Sequence, residues 1–280
     1  MPDVSVVIPV RNAERLLEAC LASITRNAPR EIIVVDGMST DGTLDVARRY
    51  GVKILSDEGG GLPAARLLGA EVAASERVAL VDADVVMPDG GLAALVEEFE
   101  QGGFTALQAG QLSVSGPAYW GQALVNHHRT GRSKNWFGLV ATLFDRKALL
   151  EHGFDARFLS GEDIELRWRL QRAGARIGVS ERTIVEHRFE DDSYDFAKGQ
   201  WLADRHGLGR MVVKHGARGA PLLGLPLAAA VRGIGLSLLR RQPKWIRYYS
   251  YYMVFNYVGM VAELGELWRR RSMTRARLAA

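Results

Sequence analysis

The stretch Arg77-Val78-Ala79-Leu80-Val81-Asp82-Ala83-Asp84 runs four apolar residues straight into two carboxylates. A short apolar run with polar ends is the pattern of a strand buried in a sheet, here Arg77–Val81. The same pattern occurs twice upstream, at Val4–Val10 and at Glu31–Asp36. Between those runs Leu16, Leu17, Cys20, Leu21 and Ile24 recur at helical spacing, with Asn12 offered as N-cap. Strands alternating with amphipathic helices predict an α/β sheet with crossover helices.

Working outward, the turn Asp36-Gly37-Met38-Ser39-Thr40-Asp41-Gly42 leads into a helix through Tyr50, with Thr40 or Asp41 as its cap. Lys53–Leu55 is a short strand. A glycine-rich link at residues 59–61 precedes a helical stretch at Ala64–Ala74. Residues 104–143 carry no regular period and receive no assignment. Asp145–His152 and Glu162–Ala173 read as helices, the second closed by Gly174. Ile177–Val179 and Thr183–Val185 read as two short strands.

The chain has 280 residues, 48% of them hydrophobic, enough to bury a sizeable core. Its one cysteine, Cys20, has no partner for an internal disulfide, which fits a reducing compartment. No basic start followed by a long apolar stretch marks the N-terminus as a signal peptide. Cytoplasmic residence is therefore expected. Net charge is +4, but residues 215–280 hold eleven Lys or Arg against two Asp or Glu, a net +9 that leaves −5 for the rest.

Each strand delivers polar residues to its C-terminal end, the edge at which open α/β sheets bind ligands. Asp82 and Asp84 leave their strand with one side chain between them. Such a pair suits a hard divalent cation, Mg²⁺ or Mn²⁺, which takes oxygen ligands and keeps positions for substrate phosphates. An Asp-x-Asp alone is more often an Asp-rich turn capping the next helix. Asp36 stands in a glycine-containing loop open to a ligand, Gly161-Glu162-Asp163 opens a helix, and His187 follows an apolar run as a further candidate metal ligand. For these three the bland readings are a turn, an acidic first helical turn and a structural histidine.

In this order along the chain, Val6-Val7-Ile8-Pro9-Val10-Arg11-Asn12, Asp36-Gly37-Met38-Ser39-Thr40-Asp41-Gly42-Thr43, Ala65-Arg66, Asp82-Ala83-Asp84, Gly153-Phe154-Asp155 and Gly161-Glu162-Asp163-Ile164-Glu165-Leu166 resemble the family 2 inverting glycosyltransferases. The resemblance covers about residues 3–190. It implies a GT-A fold, a Rossmann-like mixed sheet flanked by helices, and transfer of a sugar from a nucleotide-sugar donor, UDP- or GDP-linked, to an acceptor hydroxyl. It implies that Asp36 binds the base or ribose with Pro9 and Glu14 nearby, that Arg66 lies by the base or phosphate, and that Asp82 contacts the nucleotide. Asp84 and His187 would coordinate the metal, and Asp163 would be the catalytic base beside Glu162 on the substrate. An ordinary carboxylate pKa suffices for that base. Where processive synthases of the family carry Gln-x-x-Arg-Trp, this chain has Gly199-Gln200-Trp201-Leu202, which implies transfer of a single sugar.

Trp120, Trp136, Phe137 and Trp201 are candidates for an acceptor platform, with core packing as the alternative. Of these, Trp136 is carried forward as a substrate-binding candidate. The basic cluster Arg129, Arg132 and Lys134 suits either a lipid-linked phosphate or a solvated loop. Acceptors in keeping with these features are a glycan or lipid-linked acceptor, such as a polyprenyl-linked glycan or a glycolipid, or a secondary metabolite.

The expected domains are a catalytic domain at residues 1–215 and a basic amphipathic helical tail at 216–280. Pro221–Leu239 is apolar save Arg232, which interrupts it as a membrane span, and Tyr248–Ala262 is too short for one. Helices lying in the interface of an anionic membrane are expected instead, at the inner face of the cell membrane, with Trp245, Tyr248, Tyr249, Tyr251, Tyr252 and Trp268 at headgroup depth. Packing on the catalytic domain or on a second copy is the alternative. Nucleic acid is not expected, because the basic residues are interleaved with long apolar runs. A sugar nucleotidyltransferase would need a glycine-rich basic loop where Pro9-Val10-Arg11-Asn12 stands, and a dinucleotide oxidoreductase would need Gly-x-Gly-x-x-Gly there. A membrane-bound binding module that keeps the fold without catalysis is the remaining alternative. Oligomeric state is not legible.

Overall fold

The computed structural model describes residues 2–131, 137–158 and 160–279, without the side chains of residues 203–206 and 270–279. These residues fall into two compact units, one of residues 2–116, 137–157 and 162–191, the other of 117–131, 158, 160–161 and 192–279. The second unit thus begins well before the composition change at residue 216.

In the first unit, β1 (Ser5–Val10) lies at the heart of an eight-stranded sheet and is buried along its whole length. It pairs in parallel with β2 (Glu31–Asp36) and β4 (Arg77–Val81), and β2 pairs in parallel with β3 (Lys53–Ser56). Side chains of successive strand residues point to opposite faces, so these strands feed two cores. Val6, Ile8, Val34, Ala79 and Val81 join one, while Val7, Ile33, Val35, Val78 and Leu80 join the other. The apolar stripe of α1 (Glu14–Arg26) packs into the first core with α2 (Thr43–Arg49) and α4 (Gly91–Gly102). The second core receives α3 (Leu62–Val72), α6 (Arg146–His152) and α7 (Glu162–Arg172). The expected α/β sheet flanked by helices is the structure observed.

The far half of the sheet is mixed. Its strands are β5 (Val85–Val86), β6 (Ala106–Val114), β7 (Ala141–Asp145) and β8 (Ile177–Arg188), and the full order is β3-β2-β1-β4-β7-β6-β8-β5. β7 runs antiparallel to β4 and β6, whereas β8 runs parallel to β6. The two short strands expected at 177–185 are one strand, whose pairing with β6 slips between Gln108 and Gly110. That irregularity breaks the alternation and made it read as two. The unassigned region 104–143 holds β6, the start of β7 and a helix of the second unit, α5 (Tyr119–Thr130).

Two expected caps differ. Ala13, not Asn12, caps α1, because Asn12 takes a left-handed φ of 53° and turns its amide oxygen to Thr40 N at 2.8 Å. Gly42 caps α2, while the Asp41 carboxylate accepts from Thr43 N at 3.0 Å.

The second unit packs α5, α8 (Tyr194–His215), α9 (Leu225–Leu239) and α10 (Ile246–Ala279). Trp245, Tyr248 and Tyr249, expected at a membrane surface, are buried instead. Their helical positions face inward, where His127 lies 5.6 Å from the Tyr248 ring and Trp201 lies 5.4 Å from it. Tyr251 and Trp268 remain exposed. Trp201, a candidate sugar platform, is 1% exposed and stacks on Phe255. Among the described residues, Ala220–Leu239 is long and apolar enough to cross a membrane by length and composition, with 28% of that window buried. Arg232 does not lower its mean hydropathy below 1.8.

The helix that crosses from β3 to β4 owes its closeness to Gly69, where an added Cβ would stand 2.2 Å from Val7 Cγ1. Gly69→Ala should therefore lower stability by roughly 1–3 kcal/mol through overpacking. Urea unfolding of Gly69→Ala, Val7→Ala and the double variant should show the double variant less destabilised than the sum of the singles.

Candidate active site

β1, β2 and β3 end level with one another, since Val10 pairs with Asp36 and Asp36 with Ser56. Above these ends two loops are tied together by side chains reaching to backbone. Asn12 N donates to Ser39 Oγ at 2.9 Å, Ala13 N to Thr43 Oγ1 at 2.7 Å, and Gly42 N to Glu14 Oε2 at 3.1 Å. Asp36 is 6% exposed and both its oxygens accept from Ser39 N at 3.2 Å. Beside it opens a cavity of about 330 Å³ lined by Pro9, Val10, Arg11, Gly37, Asp57, Gly59, Gly61, Leu62 and Ala65. Sequence reading assigned Asp57 no part here and took the glycines for a link. Yet Asp57 shapes that wall by accepting from Gly59 N and Gly61 N at 2.9 and 3.0 Å, and Gly59 and Gly61 have φ of 81° and 88°.

On the other side of β1, the chain passes from β4 into Asp82-Ala83-Asp84. Arg66, on α3, is buried beneath this turn. Its Nη2 donates to Asp82 Oδ1 at 2.7 Å and its Nη1 to Glu162 Oε1 at 2.7 Å. Burial works against the guanidinium charge, but Asp82 and Glu162 outweigh it and hold Arg66 protonated. One cation thus joins the Asp-x-Asp turn to the start of α7.

Asp84 is directed elsewhere. The two-residue strand β5 begins at Val85, which pairs with His187 of β8, and Arg188 N donates to Asp84 O at 2.9 Å. This brings His187 Nε2 to 3.1 Å from Asp84 Oδ2. Burial pushes the imidazole toward neutrality, but the charge and hydrogen bond of Asp84, with Asp82 behind, raise its pKa above the ordinary value. Asp84 Oδ1 is buried without a hydrogen-bond partner among the described residues. No group of three His, Cys, Asp or Glu able to hold a metal occurs among the described residues. Asp82 Oδ1 is engaged by Arg66, and Asp36 accepts from Ser39 N.

Asp163 follows Glu162 at the start of α7. Its Oδ1 accepts from Ile164 N at 2.8 Å, and its Oδ2 would lie 3.3 Å from a Cβ placed on Gly138. Gly138 N in turn donates to Gln108 Oε1 at 2.5 Å. The expectation of an ordinary carboxylate pKa does not hold. Burial first and the Glu162 charge second push Asp163 up to about 6, against the opposing pull of Ile164 N and Arg66. Nothing in the sequence around Gln108 or Gly138 singles them out, and neither was expected here. Trp136 lies outside the described residues, Phe137 is 4% exposed in the second core, and Trp120 and Trp201 belong to the second unit.

Residues 5–153 match the sequence model of glycosyl transferase family 2. An uncharacterised glycosyltransferase of Mycobacterium tuberculosis is 32% identical over 182 residues, which cover 62% of this chain and 81% of that one. Among solved structures, the mannosyltransferase PcManGT from Pyrobaculum calidifontis, in complex with GDP-Man and Mn²⁺, aligns with a TM-score of 0.64 at 21% identity over 93% of this chain and 87% of its own. Glucosyl-3-phosphoglycerate synthase from Mycobacterium tuberculosis, solved with Mn²⁺, UDP and glucosyl-3-phosphoglycerate, aligns with a TM-score of 0.54 at 19% identity over 75% and 79%. These two likenesses establish the fold.

Replacing Arg66 by Met should leave Asp82 and Glu162 as uncompensated buried charges and cost roughly 3–5 kcal/mol. Chemical denaturation should show that loss, and Arg66→Lys should recover only part of it, because one ammonium cannot present two forked donors.

Proposed function

The chain belongs to glycosyl transferase family 2 and is a glycosyltransferase; we propose that it is a divalent-metal-dependent, inverting enzyme that passes one sugar from a UDP- or GDP-sugar to an acceptor hydroxyl. The observation that carries this reading is the Arg66 bridge between Asp82 and Glu162, with Asp84 of the candidate metal-ligand pair two residues beyond Asp82 and the candidate base one residue beyond Glu162. Asp36, Pro9 and the tied loops around Glu14 would hold the nucleoside, and the 330 Å³ cavity would take its base. Asp82 and Glu162 would meet the substrate, with Arg66 keeping both in place.

Asp84 and His187 fit a hard cation, since they are adjacent in space and Asp84 keeps a buried oxygen without a hydrogen-bond partner among the described residues. Mg²⁺ and Mn²⁺ commonly rest on one or two protein ligands and complete their shell with substrate phosphates. Bound there, such an ion supplies charge neutralisation to a diphosphate leaving group. Asp163 takes the proton of the acceptor hydroxyl while that oxygen forms its bond to the anomeric carbon. The bond from that carbon to the diphosphate oxygen breaks on the opposite side, and configuration inverts.

A base with a pKa of about 6 is mostly ionised at pH 7.5 and matched to proton transfer near neutrality. Release of nucleoside diphosphate from UDP- and GDP-hexoses with Mn²⁺, and its loss with EDTA, tests the reading. Asp163→Asn should cut turnover by roughly 10²–10⁴-fold, and wild-type turnover should fall as pH drops below about 6. Because the folded pKa is raised, the stability tied to Asp163 is fully present below about pH 4 and lost as pH rises through about 6. The Asn variant should therefore unfold at a higher temperature than wild type at pH 8, and the two should converge at low pH. Full activity of the variant with metal present would sink the assignment of the base.

The reading extends to the membrane. Tyr251, Val254, Val258, Val261 and Trp268 form an exposed stripe along α10, and α9 exposes Leu225, Leu227, Val231, Leu238 and Leu239. Arg240, Arg241, Lys244 and Arg269 flank these faces and are exposed. An apolar face with arginines at its ends suits an anionic lipid surface. A peripheral place at the inner face of the cell membrane follows, and with it a glycan or lipid-linked glycan as acceptor. Flotation with phosphatidylglycerol vesicles should carry the protein upward, and Val258→Glu/Val261→Glu should reduce the floated fraction severalfold. Equal flotation of both would remove the membrane from the proposal.

A further inference from the structure

Of the side chains that line the 330 Å³ cavity beside Asp36, Arg11 and Asp57 can form hydrogen bonds, whereas Pro9, Val10, Leu62 and Ala65 are apolar. A volume near the low end of the roughly 300–1,000 Å³ of small-molecule sites suits one flat ring system and not a whole sugar nucleotide. Which base fits then depends on how these two charges are held.

Asp57 is fixed from several directions. Its backbone N donates to Asp36 O at 3.1 Å, which ties it to the end of β2. Gly59 N donates to Asp57 Oδ1 at 2.9 Å and Gly61 N to Asp57 Oδ2 at 3.0 Å, so an amide on each oxygen stops the carboxylate from turning. A carboxylate offers about four lone-pair sites, and one on each oxygen therefore stays open. The result is two acceptors side by side in a set orientation. Arg11 is exposed and makes no hydrogen bond or ion pair among the described residues, which leaves its donors to a ligand.

The bases differ in what they offer such a pair. Guanine carries two adjacent donors, N1–H and the 2-amino group, and on its next edge the acceptors O6 and N7, which match a guanidinium. Uracil has a single N–H between two carbonyl oxygens, so one carboxylate oxygen would face a carbonyl and both would lose water without a partner. Adenine and cytosine each set one amino group beside a ring nitrogen that is itself an acceptor. We propose that the donor is a guanosine diphosphate sugar, its base held by Asp57 on N1–H and the 2-amino group and by Arg11 on O6 and N7. This rests on the reading that the cavity takes the base, and it narrows the two donor classes to one.

Calorimetric titration of the full chain with GDP, IDP, UDP and ADP, each with Mn²⁺, tests it. GDP should bind about tenfold or more tighter than UDP or ADP. IDP, whose base lacks only the 2-amino group, should bind about tenfold more weakly than GDP, for loss of a hydrogen bond to a charged acceptor. In Asp57→Asn, whose amide keeps a single acceptor, GDP and IDP should bind alike, and Arg11→Met should weaken both. An Asp57 that only shapes its loop would instead weaken all the nucleotides equally and leave their ratios as in wild type. Thermal unfolding midpoints report whether the variants are folded, and the wild-type ratios decide even if one is not. UDP binding as tight as GDP, IDP binding as tight as GDP, or a GDP-to-IDP ratio unchanged in folded Asp57→Asn would overturn the guanine pairing. Absence of binding by every nucleotide would remove the nucleoside site itself, and with it the wider donor reading.

Discussion

The arrangement depends on one buried guanidinium. Arg66 has a side chain 3% exposed and lies between Asp82, at the end of β4, and Glu162, at the start of α7. A charge so far from water is tolerated only when paired and hydrogen-bonded. The crossover helix, the central strand and the late helix must therefore meet at one point. Asp84 reaches outward from Asp82 on one side, and Asp163 follows Glu162 on the other. The Asp84–His187 pair and Asp163, proposed as metal ligands and base, are thus linked through a single ion-pair triad.

The rest of the rim is stiffened by small local devices. A two-residue strand, β5, fixes Asp84 against His187, and the left-handed turn at Asn12 frees its side chain to hold Thr40. Such side-chain to backbone bonds satisfy loop amides that would otherwise need water. They present the C-terminal ends of β1 and β2 as a formed surface, which lowers the ordering cost that a ligand must meet on binding.

In the second unit the helical period separates two roles. Inward positions of α10 carry Tyr248, Tyr249 and Met260, which are buried, while Val254, Val258 and Val261 face out. The Arg247 guanidinium lies 5.0 Å from the Trp120 ring and within 6 Å of Tyr119 and Tyr251, so even a charge of this helix is bound up in aromatic packing. Its basic residues are consequently not all available to a surface.

Sequence periodicity by itself determined the strands β1, β2 and β4, the helices between them and the acids at their ends, because burial on a regular element leaves a repeating local trace. Six short motifs in order were enough to point to family 2. The irregular half was hidden, since β6 and β8 pair across a register slip and residues 104–143 carry no clean period. Only the tertiary structure decided that Arg66 is shared between Asp82 and Glu162, that Asp84 meets a histidine 103 positions away, and that Asp163 is pushed up to about 6. It also decided which tyrosines face inward. Contacts between distant positions and the removal of water from a carboxylate are properties of the packed whole, and local spacing holds no record of them.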